Sequence, residues 1–280
     1  MASYHARSLS FPSTAHPIAD KFDEQLCRLR SSQAASTSSS SLNQTLTNLR
    51  DLYCCVDELL QLPLNQQVLF HNLHSKWVEE VLDGSLRLLD MCTSSRDVLV
   101  QSKECLQDIQ SVLRRRCSGE LNINNEIVQY LKARKTSKKI IKKCLKDMKE
   151  FDNTNEANGI ESMLKDAQAM TVNVFTSVLS YIGGVNLESR KRKWTLLNKL
   201  MHQDGNKEAE TTNSEFEAVD ATLESIICQK NKRGMNVVQV ENMSQMQNLE
   251  SEIQVLDETL ESLFRHFVKT RATLLNILSN

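Results

Sequence analysis

Apolar side chains recur at three- and four-residue steps through most of this chain. The longest series lies near its C-terminal end: Met246, Leu249, Ile253, Leu256, Leu260, Leu263, Phe267, Leu274 and Ile277, with Thr270 the polar member. Such a repeat puts every member on one stripe of an α-helix, and a stripe of that length needs another helix to cover it. The spacing predicts a long, coiled-coil-like C-terminal helix. Leu42, Leu46, Leu49, Tyr53, Val56 and Leu60 predict a helix over about 42–62, with Ser41 as its N-cap and Pro63 as its stop. A longer stripe runs from Phe70 through Trp77, Val81, Gly84, Leu88, Met91, Ser95, Val98 and Ser102 to Val112, ending at Arg114–Arg116 and Gly119. Cations suit the negative end of a helix. Gly84, Ser95 and Ser102 on the stripe allow close helix approach, and Thr93-Ser94-Ser95 is where it would divide into two helices.

A lysine-rich helix is expected over about 120–151, carrying Ile127, Leu131, Ile140, Ile141, Leu145 and Met148. The next, about 160–182, closes at Gly183-Gly184, a natural C-cap. From Ala167 to Leu187 there is no charged residue, a length that would span a bilayer. Gln168, Asn173, Asn186 and several hydroxyls make it too polar, so it reads as a central helix buried on most sides. Residues 185–213 read as a linker with one amphipathic piece, Trp194–His202. Phe216, Val219, Leu223, Ile226 and Ile227 form a fifth helix, and Lys230–Gly234 a loop before the last. Residues 1–41, dominated by Ser, Thr and Ala, read as a disordered tail in which Phe22–Leu29 has one turn of helical pattern. The fold class predicted is all-α: an elongated, mostly antiparallel bundle of long helices over 42–280, in one domain.

Composition agrees with this class. Only 7 Gly and 3 Pro are present among 280 residues, and nearly all fall between periodic segments. Eight cysteines form no C-x-x-C pair and lie mostly on helical patterns, so they read as reduced core residues of an intracellular protein. The opening Met-Ala-Ser-Tyr-His predicts no secretory signal. The cytoplasm is the expected compartment, with nucleus, plastid and the membrane surface as alternatives. Catalytic chemistry is not signalled: no glycine-rich phosphate loop, no His-Glu-x-x-His and no nucleophile elbow occurs. His71 and His74 stand one turn apart but lack further metal ligands, and read as surface histidines. No enzyme, metal, cofactor or small-molecule substrate is therefore expected.

A formal net charge of −1 implies no polyanionic partner in bulk, yet the charge is unevenly spread. Residues 103–149 hold 13 basic and 5 acidic side chains, a balance of +8; residues 204–261 hold 4 basic and 13 acidic, a balance of −9. Either the two stretches face each other, or the basic one meets an outside partner. The candidate contact residues are Arg134, Lys135, Lys138, Lys139, Lys142 and Lys143, with a second cluster at Arg190, Lys191, Arg192 and Lys193 beside Trp194. An anionic membrane surface is one partner such residues fit. Nucleic acid fits less well, because aromatic side chains for stacking are missing there.

Several strings carry a resemblance: ARSLSFPS (6–13), DEQLCRLRSS (23–32), LLQLPLNQQ (59–67), KWVEEVLDGSLRLLDMC (76–92), KECLQDIQSVLRRR (103–116) and KTRATLLNIL (269–278). Together they resemble a plant-specific helical domain-of-unknown-function family associated with the BYPASS-related proteins. The resemblance implies a role in root and shoot development and brings no catalytic residue or cofactor with it. Two functions are expected in turn. One is a non-enzymatic scaffold that binds protein partners or itself through helical seams. The other is a peripheral membrane protein that binds anionic lipid through its basic helix.

Overall fold

The computed structural model describes residues 16–32, 38–115, 123–148, 159–184, 214–228 and 235–279, the last with side chains from Met243 on. Helices account for nearly all of them: α1 Pro17–Ser32, α2 Ser39–Leu60, α3 Pro63–His71, α4 Lys76–Arg115, α5 Asn124–Asp147, α6 Ile160–Gly183, α7 Glu215–Cys228 and α8 Met235–Ser279. At 1.5 Å per residue, the 45 residues of α8 run for about 67 Å. The expected linker 185–213, with Arg190–Lys193 and Trp194–His202, lies outside the described residues, as do 1–15 and the loop 230–234.

Two boundaries differ from the sequence expectation. Part of the expected tail is helix α1, because Phe22, Leu26 and Leu29 at steps of four and three bury themselves fully against the bundle. Three large side chains suffice for a helix that covers others and encloses nothing itself. The second difference concerns the stripe from Phe70 to Val112. It breaks at residues 72–75, not at Thr93–Ser95. Pro63 occupies the first turn of α3, where its missing N–H costs nothing, and Asn72 closes that helix with its own N–H on the Val68 and Leu69 carbonyls. Phe70 is exposed and does not belong to the stripe. Within α4 the hydroxyls of Thr93, Ser95 and Ser102 donate to the carbonyls four residues back, so they are satisfied without interrupting the helix.

The predicted seam is buried within the chain itself. Leu249, Ile253, Leu256, Leu260 and Leu263 are wholly inaccessible, between α2 and α4. Helix α4 runs antiparallel to α8, from Arg96 bonding Asp257 (2.8 Å) to Arg271 bonding Ser85 (2.7 Å). Helix α2 runs parallel to α8. Tyr53 meets Phe267 edge-on at 4.7 Å, and one turn further Thr270 donates to Asp57 at 2.7 Å. The polar member of the seam therefore has a buried partner.

The uncharged stretch begins inside α6 at Ala167, and this helix, Ile160–Gly183, packs against α2, α4 and α5. It approaches α4 closely at Gly84, where an added Cβ would lie 2.6 Å from the Gln168 Oε1; that glutamine donates to the Val81 carbonyl. Gly184 ends α6 in the left-handed conformation (φ 63°), with its N–H on Ser180 and Tyr181 carbonyls.

Leu256→Ala removes a fully buried side chain from the middle of the seam and should cost about 2–5 kcal/mol, read as a lowered denaturant midpoint with an unchanged slope. A loss near zero would mean that the seam is not packed in solution.

Candidate functional site

Helix α5 has two faces. Ile127, Tyr130, Arg134, Ser137 and Ile141 are buried against the bundle. Val128, Lys132, Lys135, Lys139, Lys142 and Lys146 follow one another at steps of four and three along the outward face, with Ile140 and Lys143 beside them, and all are exposed. None of these lysines has an ion pair or hydrogen bond within the described residues.

The candidate set therefore divides. Lys135, Lys139, Lys142 and Lys143 share the outward face, and Lys132 and Lys146 join them. The helical period from Val128 marks those two in the sequence. Arg134 does not belong to a contact surface: it is 2 % exposed. It lies on the stripe of Ile127, Tyr130 and Ile141, so the helix turns it inward. Its Nε donates to Asp220 Oδ1 (3.0 Å) and its Nη2 to Asp220 Oδ2 (3.2 Å) and the Ile182 carbonyl (2.9 Å). Its guanidinium lies 4.7 Å from the centre of the Phe216 ring. Tyr130 donates to the same carboxylate at 2.9 Å, and half-buried Lys138 reaches it at 2.9 Å. One carboxylate on α7 thus takes three donors from α5. Among the described residues, the reading in which the basic and acidic stretches face each other holds for Arg134 and Lys138, and not for the outward lysines.

Burial alone would raise the Asp220 carboxyl; the charge and hydrogen bonds of Arg134, then Lys138, outweigh it and hold it below the ordinary carboxylate value. Desolvation, and then the Asp220 charge, push the Tyr130 phenol well above its usual value, so it stays a donor. The latch ties α5 to α7 and to the C-terminal end of α6, and it fixes which side of α5 points outward.

A second polar junction joins α6, α7 and α8. The Tyr181 hydroxyl lies 2.7 Å from Glu215 Oε2 and 2.9 Å from Glu252 Oε2. A phenol has one proton to donate, so two carboxylates compete for it. Burial, with the nearby Glu215 charge adding to it, raises the Glu252 carboxyl despite its bond to Tyr181.

Other signals stay apart. His71 ends α3 and His74 lies beyond it, so the two do not share a helix face. Cys54 is half-buried and Cys55 buried. Among the described residues no helix is long and apolar enough to cross a membrane.

Fold and site together define an all-helical bundle that carries a cationic helix along its flank. The sequence model of the family described as Protein BPS1 matches residues 45–277, and the chain belongs to that family, the BYPASS-related proteins. The match begins within α2 and ends within α8, and the family associates the chain with plant development. No curated protein and no solved structure matches the chain.

Two predictions follow from the buried groups. Asp220→Asn leaves the Arg134 cation buried without a counter-charge and should cost about 3–5 kcal/mol, measured by chemical denaturation at neutral pH. Because the native Asp220 value is depressed, its contribution is present above the ordinary carboxylate value and fades as pH falls through the native one, so the gap between variant and wild type should narrow in acid. Glu252 has the opposite sign. Its native value is raised, so the folded state binds the extra proton and the strain at neutral pH is relieved as pH falls through that raised value. Glu252→Gln should be more stable than wild type at pH 7, with the difference vanishing below pH 4.5, the ordinary value. A variant less stable at pH 7 would refute the shared-proton reading.

Proposed function

We propose that this protein is a non-enzymatic interaction protein of root and shoot development that seats itself on an anionic membrane surface through the outward face of α5. The observation that carries this reading is the row Lys132, Lys135, Lys139, Lys142 and Lys146 on one exposed stripe, without an acidic partner among the described residues. Like charges three and four residues apart each cost a helix about 0.2–0.5 kcal/mol, and an internal role would bring acids to relieve them. An anionic bilayer supplies that relief from outside, worth about 1 kcal/mol per lysine near the surface. Exposed Val128 and Ile140 on the same side add a small apolar contact at the headgroup level. Binding of this kind is shallow, reversible and sensitive to salt.

The developmental part of the reading rests on the family. The interaction part rests on surfaces: the longest seam is filled by the chain's own α2 and α4, and the flank of α5 is a charged face exposed among the described residues.

The test is co-sedimentation with phosphatidylcholine vesicles containing or lacking phosphatidylserine. The wild-type chain should pellet with the anionic vesicles at about 0.1 M salt and be released near 1 M, as the Debye length shrinks from ~10 Å to ~3 Å. Replacing the five row lysines by Gln should abolish pelleting while helicity stays unchanged. A variant that pellets like wild type, or a wild type that ignores phosphatidylserine, would exclude the proposal.

A further inference from the structure

Helix α4 carries a second charged row. Asp90, Asp97 and Glu104 stand seven residues apart and all are exposed, with exposed Val100 between the last two. Steps of seven keep them on one side of the helix. Asp83, one step earlier, is held by Arg87 at 2.9 Å; the other three have no ion pair among the described residues. On α5, Lys132, Lys139 and Lys146 repeat the same step, exposed and equally unpaired among the described residues. Each trio spans about 21 Å of helix.

The two rows run side by side. Helix α5 packs antiparallel on α4: Ser94 bonds Cys144, and Cys105 lies by Tyr130. Counting along each helix from those contacts puts Asp90 level with Lys146, Asp97 with Lys139 and Glu104 with Lys132. Gly84, which meets Gln168 of α6, and buried Ile141 lie on the opposite sides of their helices from these rows. Both rows therefore face away from α6. Ile140, exposed, lies at the edge of the lysine row nearest α4. Within the chain the rows do not pair, because packed helices stand ~8–10 Å apart and both rows point outward.

We infer that a second copy of the chain covers this surface, with α4 of each copy lying on α5 of the other. A two-fold axis parallel to the helices, running between them, makes this contact. It carries α4 across onto the other copy's α5 without shifting it along the helix, and it keeps the two antiparallel. Levels are preserved. Asp90, Asp97 and Glu104 of each copy come opposite Lys146, Lys139 and Lys132 of the other. Ile140 lies nearest the axis and meets its own counterpart, so four helices close around an apolar contact. Charge complementarity decides the occupant. An anionic bilayer answers the lysines and leaves the acids facing like charge; a basic surface does the converse. A second copy presents both signs in the reciprocal order, at the same spacing and the same levels. Exposed ion pairs are individually weak and screened by salt, so this dimer dissociates readily. The same lysines meet lipid or the other copy, never both at once, and the dimer is the form away from a membrane. The inference does not rest on the membrane reading.

The solution mass of the full chain, measured without lipid, tests it. Wild type at micromolar concentration and low salt should have the mass of two chains, falling to one near 1 M salt, where the Debye length is ~3 Å. Two charge-reversed variants sharpen the test: Asp90→Lys/Asp97→Lys/Glu104→Lys, and Lys132→Glu/Lys139→Glu/Lys146→Glu. All six positions are exposed, so circular dichroism should be unchanged. Each variant alone should be a single chain, because one of its rows now meets like charge. Mixed in equal amounts, the two should again give the mass of two chains, since every reversed row finds a complementary one. A single-chain wild type at low salt would overturn the inference. So would two chains in both variants taken alone, or a mixture that stays single. A wild type of two chains that ignores phosphatidylserine vesicles supports this inference and excludes the membrane reading; a single chain that pellets with them does the reverse.

Discussion

The structure depends on α8 being covered on two sides at once. Five consecutive seam residues from Leu249 to Leu263 are wholly removed from water, and α2 and α4 each present a complete apolar stripe to them. Apolar area alone would tolerate α2 sliding by a turn along α8. Thr270 and Asp57 do not: both are buried, and they bond at 2.7 Å. A slip of one turn would leave a carboxylate and a hydroxyl buried without each other, a penalty of about 1–3 kcal/mol for each unsatisfied group. Asp57 also lies 3.0 Å from the Lys269 ammonium, which draws the carboxylate to the same register. The polar residue in the seam thus supplies position, while its apolar neighbours supply free energy.

A seam closed within the chain has a consequence for the surfaces that remain. Helix α5 lies on the far half of the bundle, and its orientation about its own axis decides what the protein shows to its surroundings. Turning α5 by one residue would bury lysines and expose Ile127 and Ile141. The Arg134–Asp220 latch selects against this, because Arg134 reaches Asp220 and the Ile182 carbonyl in one rotation only. Buried ion pairs add little net stability relative to apolar residues of the same size, and they penalise wrong arrangements heavily. We assign the latch that role: it specifies the outward side of α5.

The helices were legible in the sequence wherever a stripe was long and its ends were marked. The α8 seam, the apolar helix α6 and the glycine cap at Gly184 stand where the periodicity puts them. Short elements were harder. Helix α1 has three buried apolar residues, Phe22, Leu26 and Leu29, in a serine-rich stretch whose composition outweighs them. The break before α4 was hidden because Phe70 continues the apolar count, although the folded chain leaves it exposed. At the site, runs such as Arg134-Lys135 and Lys138-Lys139 read as one cationic block. The period would have separated Arg134 from its neighbours, since it follows Ile127 by seven residues and Tyr130 by four. Its acceptor, Asp220, is 86 residues away, and no local pattern pairs them.

The composition of the α5 face bears on what it can bind. All six outward cations are lysines, while the arginine of this helix is spent internally. A guanidinium grips one phosphate or carboxylate with two parallel hydrogen bonds and stacks on flat groups; an ammonium acts as a compact point charge with little directional demand. A row of ammonium groups along about 21 Å of helix, from Lys132 to Lys146, therefore matches a diffuse sheet of negative charge better than a single shaped anion. Sequence-tolerant binding to single-stranded nucleic acid would call for aromatic platforms among the cations, and this face has only Val128 and Ile140 between them. Aliphatic side chains at the margin of a lysine row can enter the headgroup layer, where stacking counts for nothing and burial of a few methylenes suffices. The net charge of −1 hides this face, because the acids that balance it, such as Asp257 and Glu261, are held by Arg96 on another helix. Local charge, set by which helix each acid lies on, decides what the flank of the bundle attracts.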